Sequence, residues 1–562
     1  MSTVGPLRGQ HRATLDARAR MLAGSTWIWL GGALLAAVWL RCWNLGFGLP
    51  DVMQPDEFSV PARAASFIAF PHPDPNPHFF LKPTLSYYAV ALAYLVAFPP
   101  LRMLGVVPSY AAFLRDQTLL TWIGRGLTAL EAVVTVLALF LVVRRGFGVR
   151  AALVAAFACA VLPIHVAIAH YVNVDVPMGL FCVLALGACF RYLESGARRD
   201  LWMAGCAAGL AASAKYPGAI LCVTVSVAYL LAPRRGRWVD LVSAGVASIV
   251  AFLATSPYVL LAYREFRAGI GSEAGHMRGL HPGYDLFVEG WVFVPLVYQL
   301  AAQWPLCMSW PLYGWGLGSS VAAARRGDRP SRLVLWGYLV PWCAVVGTST
   351  VSFPRYALPV TLGLVILGAA ELARWTAAAR PTLRRAAMAI GLITAAYAAV
   401  TSATLVRKLE PQSAALAARL LEAQAPAGSR IAVAIFFPNV PLDGNRFQVR
   451  PIQSVPEWEA ASDWADYIVV SSEYALALRR GERPRFAQRA FLERLESGDG
   501  WRRVARFAPT PFLHEDSYAA LDPYFHNHFH AHTLEIFARV PSAAAAPPAA
   551  SPLARSSTAV AR

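Results

Sequence analysis

Residues 51–88 read DVMQPDEFSVPARAASFIAFPHPDPNPHFFLKPTLSYY, a polar, proline-rich stretch set between apolar runs at residues 26–42 and 84–107. A bilayer selects apolar side chains on helical backbone. It does not select the adjacent acids Asp56 and Glu57, nor the Asn, His, Phe, Lys and Tyr residues that follow them. The stretch therefore reads as the heart of a loop, residues 43–118, that carries chemistry. The side on which it falls fixes the topology of everything after it.

The rest of the chain supports a membrane setting. Of 562 residues, 57% are hydrophobic and 15% charged, with a mean hydropathy of +0.45. An average soluble domain is about half apolar and a quarter charged. The formal charge of +17 comes from short arginine clusters between apolar runs, as positive-inside bias predicts. A contiguous basic face that could track phosphates is missing, so nucleic acid is not an expected partner. The eight cysteines lie in or beside apolar segments with no CxxC pair and read as small core residues. Arg8, Arg12, Arg18 and Arg20 precede the first run, and no small-residue cleavage site follows it. Residues 1–25 are thus expected to be a cytoplasmic basic N-terminus ahead of an uncleaved anchor.

With the N-terminus inside, the acid pair is extracytoplasmic. If residues 84–107 crossed the bilayer fully, Arg144, Arg145 and Arg150 would fall outside and Asp175 inside. Positive-inside bias favours the opposite arrangement. Residues 84–107 are then re-entrant or interfacial, and residues 151–171 return to the outer face just before Asp175. Further spans are expected at 176–193, 201–214, 217–231, 238–261, 306–324, 333–348, 356–372 and 386–406, by apolar length. Arginine-bearing loops at 198–199, 234–237, 325–329 and 380–385 fall on the cytoplasmic side. The fold class is a polytopic α-helical membrane protein of about eleven transmembrane helices, with its membrane domain over residues 26–407. The spans flanking Lys215 are too short for straight full-thickness helices. Unwound backbone there must face a protein-lined cavity.

Past residue 410 the composition becomes that of a soluble domain. SRIAVAIFF, ASDWADYIVVSS, WRRVARFAP and HTLEIFARV read as strands, and RFAQRAFLERLESG as an amphipathic helix closed by Gly498. An extracytoplasmic α/β domain is expected over residues 425–540, followed by an Ala/Pro/Ser-rich disordered tail at 541–562. His526, His528, His530 and His532 alternate along one stretch. On a strand they would share a face, a polar face more readily than a metal site, because no acid or cysteine stands at ligand spacing.

Several side chains are candidates for chemistry. Asp56 and Glu57 suit a general base or electrostatic anchor, or an acid pair favouring a helix N-terminus. Asp175 reads as an acid of the next outer loop or as a helix cap. Lys215 lies among apolar residues, where an ionisable group is costly and so a functional candidate; a snorkelling lysine is the plain alternative. Arg355 with Tyr356 suits a phosphate clamp or an interfacial anchor. Lys82 and His78 offer a second positive contact and a hydrogen bond. His276, Arg278 and His281 in GHMRGLHPGY are possible substrate contacts. Arg125 and Glu131, six residues apart within one span, suggest an internal polar contact between helices.

The order of first span, outward Asp56-Glu57, NPHFFLKPTLSYY, HYVNVDVPMGLF, AAGLAASAKYPGAIL and SFPRYALPV resembles glycosyltransferase family 39. That family includes protein O-mannosyltransferases and lipid A aminoarabinose transferases, and has the C-type membrane glycosyltransferase fold. The resemblance covers residues 26–372. It implies that Asp56 is the base or orienter for the acceptor with Glu57 its neighbour, and that Asp175 is the second outer-loop acid. It also places Lys215 near the lipid-linked phosphate.

The implied activity is an inverting transfer from a polyprenyl-phosphate-linked sugar to an extracytoplasmic acceptor; the high Ala, Arg and Pro content points to a GC-rich bacterial genome, and so to a bacterial inner membrane. Lys215, Arg355, Tyr356 and Lys82 would bind the donor phosphate, and the acceptor is a protein, lipid A or an envelope glycan. No cofactor is clearly required, although separated acids such as these could hold Mg²⁺ or Mn²⁺. The rival reading is a lipid-linked sugar transporter or flippase, which would use the same cavity and broken spans without chemistry at Asp56.

Overall fold

The computed structural model describes residues 25–50, 57, 59–278, 287–288, 291–292, 295–347, 349, 353–409, 413–434, 440–452, 460–461, 463–471, 486–498, 500–508 and 533–540. The chain divides into two compact units, Met1–Gln412 with Pro509–Ala531, and Ser413–Ala508 with His532–Arg562. The second unit thus begins twelve residues before the boundary expected from composition, because the Ser413–Gln424 helix packs with its strands.

The first unit is a helical bundle of an integral membrane protein. Among the described residues, six helices are long and apolar enough to cross a bilayer: Ser25–Cys42, Gln117–Phe147, Asp175–Ser195, Trp238–Thr255, Pro354–Thr376 and Pro381–Arg407. The other expected spans are helical too, but shorter or broken. Residues 151–171 form the helix Val149–Ala160 and a separate turn Pro163–Ile168, since Pro163 lacks the N–H that would continue the first helix. Arg198–Ala214 stops at an extended Lys215, and a 3₁₀ turn, Tyr216–Ile220, leads into Leu221–Leu231. This is the unwound backbone expected at Lys215.

Burial orders the helices. Pro354–Thr376 is 94% buried along its apolar window and forms the centre, whereas Trp238–Thr255 is 11% buried and turns Val242, Val246, Ile249 and Val250 outward. Such an apolar face suits contact with lipid or another apolar surface. The inner face of Trp238–Thr255 meets Arg198–Ala214 through Gly205 and Gly209, a small-xxx-small pair that lets two backbones approach. A Cβ on Gly205 would strike the Ala244 carbonyl oxygen, and one on Gly209 that of Ser248. Gly209→Val is expected to cost about 1–3 kcal/mol through this overpacking, read as a lowered unfolding midpoint in detergent. A wild-type midpoint would contradict the contact.

The charged loops gather at one end of the bundle. Arg145 pairs with Glu194 (2.8 Å), Arg191 with Asp200 (3.0 Å), Arg198 with Asp240 (3.4 Å) and Arg374 with Asp328 (3.6 Å), while Arg326 pairs with Glu371. The clusters assigned to one side by charge bias therefore meet at one end. The helix Leu85–Met103 keeps both its ends at the other. At its start, Thr84 Oγ1 donates to Thr255 O (2.7 Å). Near its end, Phe98 stacks edge-on against Tyr110 (4.9 Å), just ahead of the Gln117–Phe147 helix.

The second unit is a five-stranded mixed sheet. Arg430–Ala434 lies between Gln448–Pro451 and Tyr467–Ser471 in parallel, and Leu534–Arg539 pairs antiparallel with both Tyr467–Ser471 and Trp501–Phe507. The four strands read from sequence are present, and the helix Phe486–Ser497 ends at Gly498 with φ +85°. The strand Gln448–Pro451 was not expected. All four of its residues are exposed, so it carries no alternating apolar pattern to betray it. The alternating histidines His526, His528, His530 and His532 lie outside the described residues.

Candidate active site

Four of the expected residues converge at the end of the bundle away from the arginine clusters. Asp175 opens the Asp175–Ser195 helix and is 1% exposed. Its Oδ1 accepts from Lys215 Nζ at 2.6 Å, and Arg355 Nε lies 3.7 Å from Oδ2. The Lys215 ammonium sits over the Tyr356 ring (4.1 Å), and the Arg355 guanidinium over Phe353 (4.2 Å). Lys82 is half-buried within electrostatic reach of Lys215.

Local chain chemistry explains the placement. The cap of the Asp175 helix is not Asp175 itself: Asn173 Oδ1 accepts from the Asp175 and Val176 N–H groups, both at 3.0 Å. That frees the Asp175 carboxylate for Lys215 and Arg355. Lys215 projects because its backbone is extended between two helices. Arg355 and Tyr356 lie in the 3₁₀ turn Pro354–Ala357, which Pro354 starts.

A cavity of about 290 Å³ opens beside these groups, lined by Asp175, Lys215, Tyr216, Glu273, Trp342 and Tyr356 among others. Glu273 projects from the helix Tyr263–Arg278 and had no sequence signal, since acids on an exposed helix are ordinary. The loop before the cavity is tied down by a polar knot of Thr84, Ser213, Thr255 and Ser256. Thr84 Oγ1 lies 3.2 Å from Ser256 Oγ, and Ser213 Oγ lies 2.8 Å from both Ser256 Oγ and Thr255 Oγ1. Tyr216 OH donates to Phe80 O at 3.0 Å. The NPHFFLKPT loop and the break at Lys215 are thus held together.

Glu57 is placed differently from expectation. It is fully buried, and Arg125 grips it with two parallel bonds of 2.8 and 2.7 Å. Arg125 Nη1 donates to Leu45 O and Phe47 O (2.8 and 2.7 Å), and Glu57 Oε1 also accepts from Val172 N at 3.0 Å. The internal polar contact of Arg125 is thus made with Glu57, 68 positions back in the chain. Glu57 lies at the junction of the loop after the first span, the Gln117–Phe147 helix and the turn ahead of Asp175. It positions these segments and does not line the cavity. Its neighbour Asp56 lies outside the described residues.

His78 also departs from its expected role as a substrate contact. It is exposed, with Nδ1 2.8 Å from Glu265 Oε2 and Nε2 3.1 Å from Asp74 Oδ2. The hydrogen bond with Glu265, supported by Asp74, raises its pKa above the usual histidine value. A raised pKa means that the protonated form is favoured in the folded loop. Its contribution is complete below about pH 6.5, the unfolded value, and is lost as pH rises through the raised folded value. Hydrogen-exchange protection in Tyr263–Arg278, taken relative to the intrinsic rate at each pH, is accordingly expected to fall across that window in the wild type and to stay constant in His78→Gln. An identical pH profile in the variant would contradict the link. His281 and the side chain of His276 lie outside the described residues.

Among the described residues no three His, Cys, Asp or Glu side chains come together as a metal site. Asp175 does not suit a divalent cation, because Lys215 and Arg355 both lie within 4 Å of it. The donor set instead suits an anion.

Residues 117–261 match the family described as Dolichyl-phosphate-mannose-protein mannosyltransferase. The chain resembles a family 39 membrane glycosyltransferase. Among solved structures, the Archaeoglobus fulgidus oligosaccharyltransferase AglB, in complex with an inhibitory peptide and a dolichol-phosphate, superposes with a TM-score of 0.50 at 13% identity, over 92% of this chain and 88% of that one. At that identity the likeness concerns the fold. ArnT from Cupriavidus metallidurans, bound to undecaprenyl phosphate, gives a TM-score of 0.48 at 16% identity, over 93% of this chain and 99% of that one. No curated protein sequence matches. The family segment contains Arg125, Asp175 and Lys215, and stops short of Arg355 and of the first outer loop.

Proposed function

We propose that this protein transfers a sugar from a polyprenyl-phosphate-linked donor to an acceptor on the extracytoplasmic side of a bacterial inner membrane, with inversion at the anomeric carbon. The observation that carries the reading is the pair of cations, Lys215 and Arg355, held by Asp175 and Tyr356 at the mouth of an apolar-walled cavity. A lipid donor suits a bundle of this kind: the isoprenoid lies among helices and its phosphate reaches the cations. In the reaction the acceptor hydroxyl attacks the anomeric carbon, the bond from that carbon to the phosphate oxygen breaks, and polyprenyl phosphate leaves. Asp56 orients the acceptor and takes its proton. Lys215 and Arg355, with Lys82 nearby, stabilise the charge gathering on the leaving phosphate. Asp175 holds the two cations in place before the donor arrives. The arginine-rich end faces the cytoplasm, and Leu85–Met103 lies along the outer face.

The test uses purified full-length protein and radiolabelled polyprenyl-phosphate hexose and pentose, with peptide, lipid A and envelope-glycan acceptors. Wild type is expected to release polyprenyl phosphate and label one acceptor class, and Asp56→Asn to do neither. Donor binding by both proteins with no release under any acceptor would support a lipid-linked sugar carrier instead.

A further inference from the structure

We infer that the cytoplasmic end of the bundle carries a second lipid site, a groove that seats one anionic glycerophospholipid of the inner leaflet. Two cavities there share a single residue, Arg150. The first, about 540 Å³, is an apolar crevice lined by Leu153, Phe157, Val365, Leu372, Gly391 and Ala395 among others, with Arg150, Thr376 and Thr394 among its few polar members. The second, about 660 Å³, is a basin walled by Arg150, Arg326, Asp328 and Arg374. The crevice has the size and apolar lining of a ligand pocket, and the basin has the charge of a phosphate seat.

Charge complementarity selects the occupant. Arg326 pairs with Glu371, and Arg374 with Asp328 and Glu371. Arg150 is exposed and makes no ion pair among the described residues. Three guanidinium groups thus face two carboxylates, which leaves a positive charge at the junction of basin and crevice. A basic pocket between membrane helices on the cytoplasmic side is suited to an anionic head group, and the adjoining crevice would take an acyl chain. A free phosphate ion would leave the crevice unfilled.

The site is separate from the one around Asp175. Asp175 and Glu194 stand at opposite ends of one helix, about 30 Å apart at 1.5 Å per residue. Glu194 binds Arg145, five residues before Arg150. The lipid groove therefore does not depend on the proposed reaction, and its failure would leave that proposal intact.

The experiment is thermal unfolding of the full-length protein in neutral detergent, titrated with phosphatidylglycerol, phosphatidylcholine or polyprenyl phosphate. Phosphatidylglycerol is expected to raise the wild-type midpoint by several degrees, as any ligand of the folded state does, and phosphatidylcholine to leave it unchanged. Arg150→Gln removes the charge and Ala395→Phe fills the crevice. Either variant should lose most of the phosphatidylglycerol shift while keeping any shift given by polyprenyl phosphate. Native mass spectrometry, counting retained phosphatidylglycerol, provides the same reading for a variant whose midpoint falls on its own. Equal shifts with both phospholipids, an undiminished shift in both variants, or loss of the polyprenyl phosphate shift in Arg150→Gln would overturn the inference.

Discussion

Lys215→Met is expected to lower sugar transfer by roughly 10²–10³-fold, the usual loss when a donor aimed at developing charge is removed. Methionine keeps much of the length and packing of the lysine stem but removes the ammonium. The phosphate leaving from the donor would then face Arg355, with only Lys82 nearby to help, beside Asp175, whose carboxylate would repel it. Asp175→Asn separates charge stabilisation from positioning, because it keeps a side chain able to accept from Lys215 Nζ. Its expected loss is smaller than that of Lys215→Met. The check is single-turnover release of labelled polyprenyl phosphate at saturating donor, with unfolding midpoints measured in parallel. A Lys215→Met enzyme within threefold of wild type would remove Lys215 from the reaction.

The largest effect on stability is expected at Glu57 and Arg125. Both side chains are fully buried, and removing one partner strands the other charge. Breaking such a pair costs about 3–5 kcal/mol, so Glu57→Gln and Arg125→Met should each unfold at much lower temperature. The Arg125 donors to Leu45 O and Phe47 O add to its loss. The double variant Glu57→Gln/Arg125→Met removes both charges, and should recover part of the difference. If the two single losses simply add in the double variant, the pair is not coupled and its positioning role fails.

The helical architecture was legible in the sequence because the bilayer leaves few options. Apolar length marks the spans, and arginine clusters mark the end at which Arg145, Arg198 and Arg326 meet; the break after Ala160 inside the span expected over residues 151–171 was not expected. Lys215 and Arg355 stood out for the same reason, since a charge beside apolar runs is costly unless it is used. Contacts set by helix packing were not legible. The Glu57–Arg125 pair spans 68 positions, and nothing local to Arg125 names Glu57 as its partner. The knot of Thr84, Ser213, Thr255 and Ser256 joins four common residues whose meeting depends on where three segments end. Glu273 reaches the cavity from an exposed helix with no local mark. Asn173 took the cap expected of Asp175, a choice between neighbours that the turn geometry settles.

The most direct measurement of the central claim is a structure of the purified protein with polyprenyl phosphate. The account predicts the phosphate between Lys215 and Arg355, within hydrogen-bond reach of both, with the isoprenoid running along the cavity beside Trp342 and Tyr356. A phosphate seated elsewhere, such as the basin beside Arg150, with the Lys215–Asp175 contact unchanged, would contradict it.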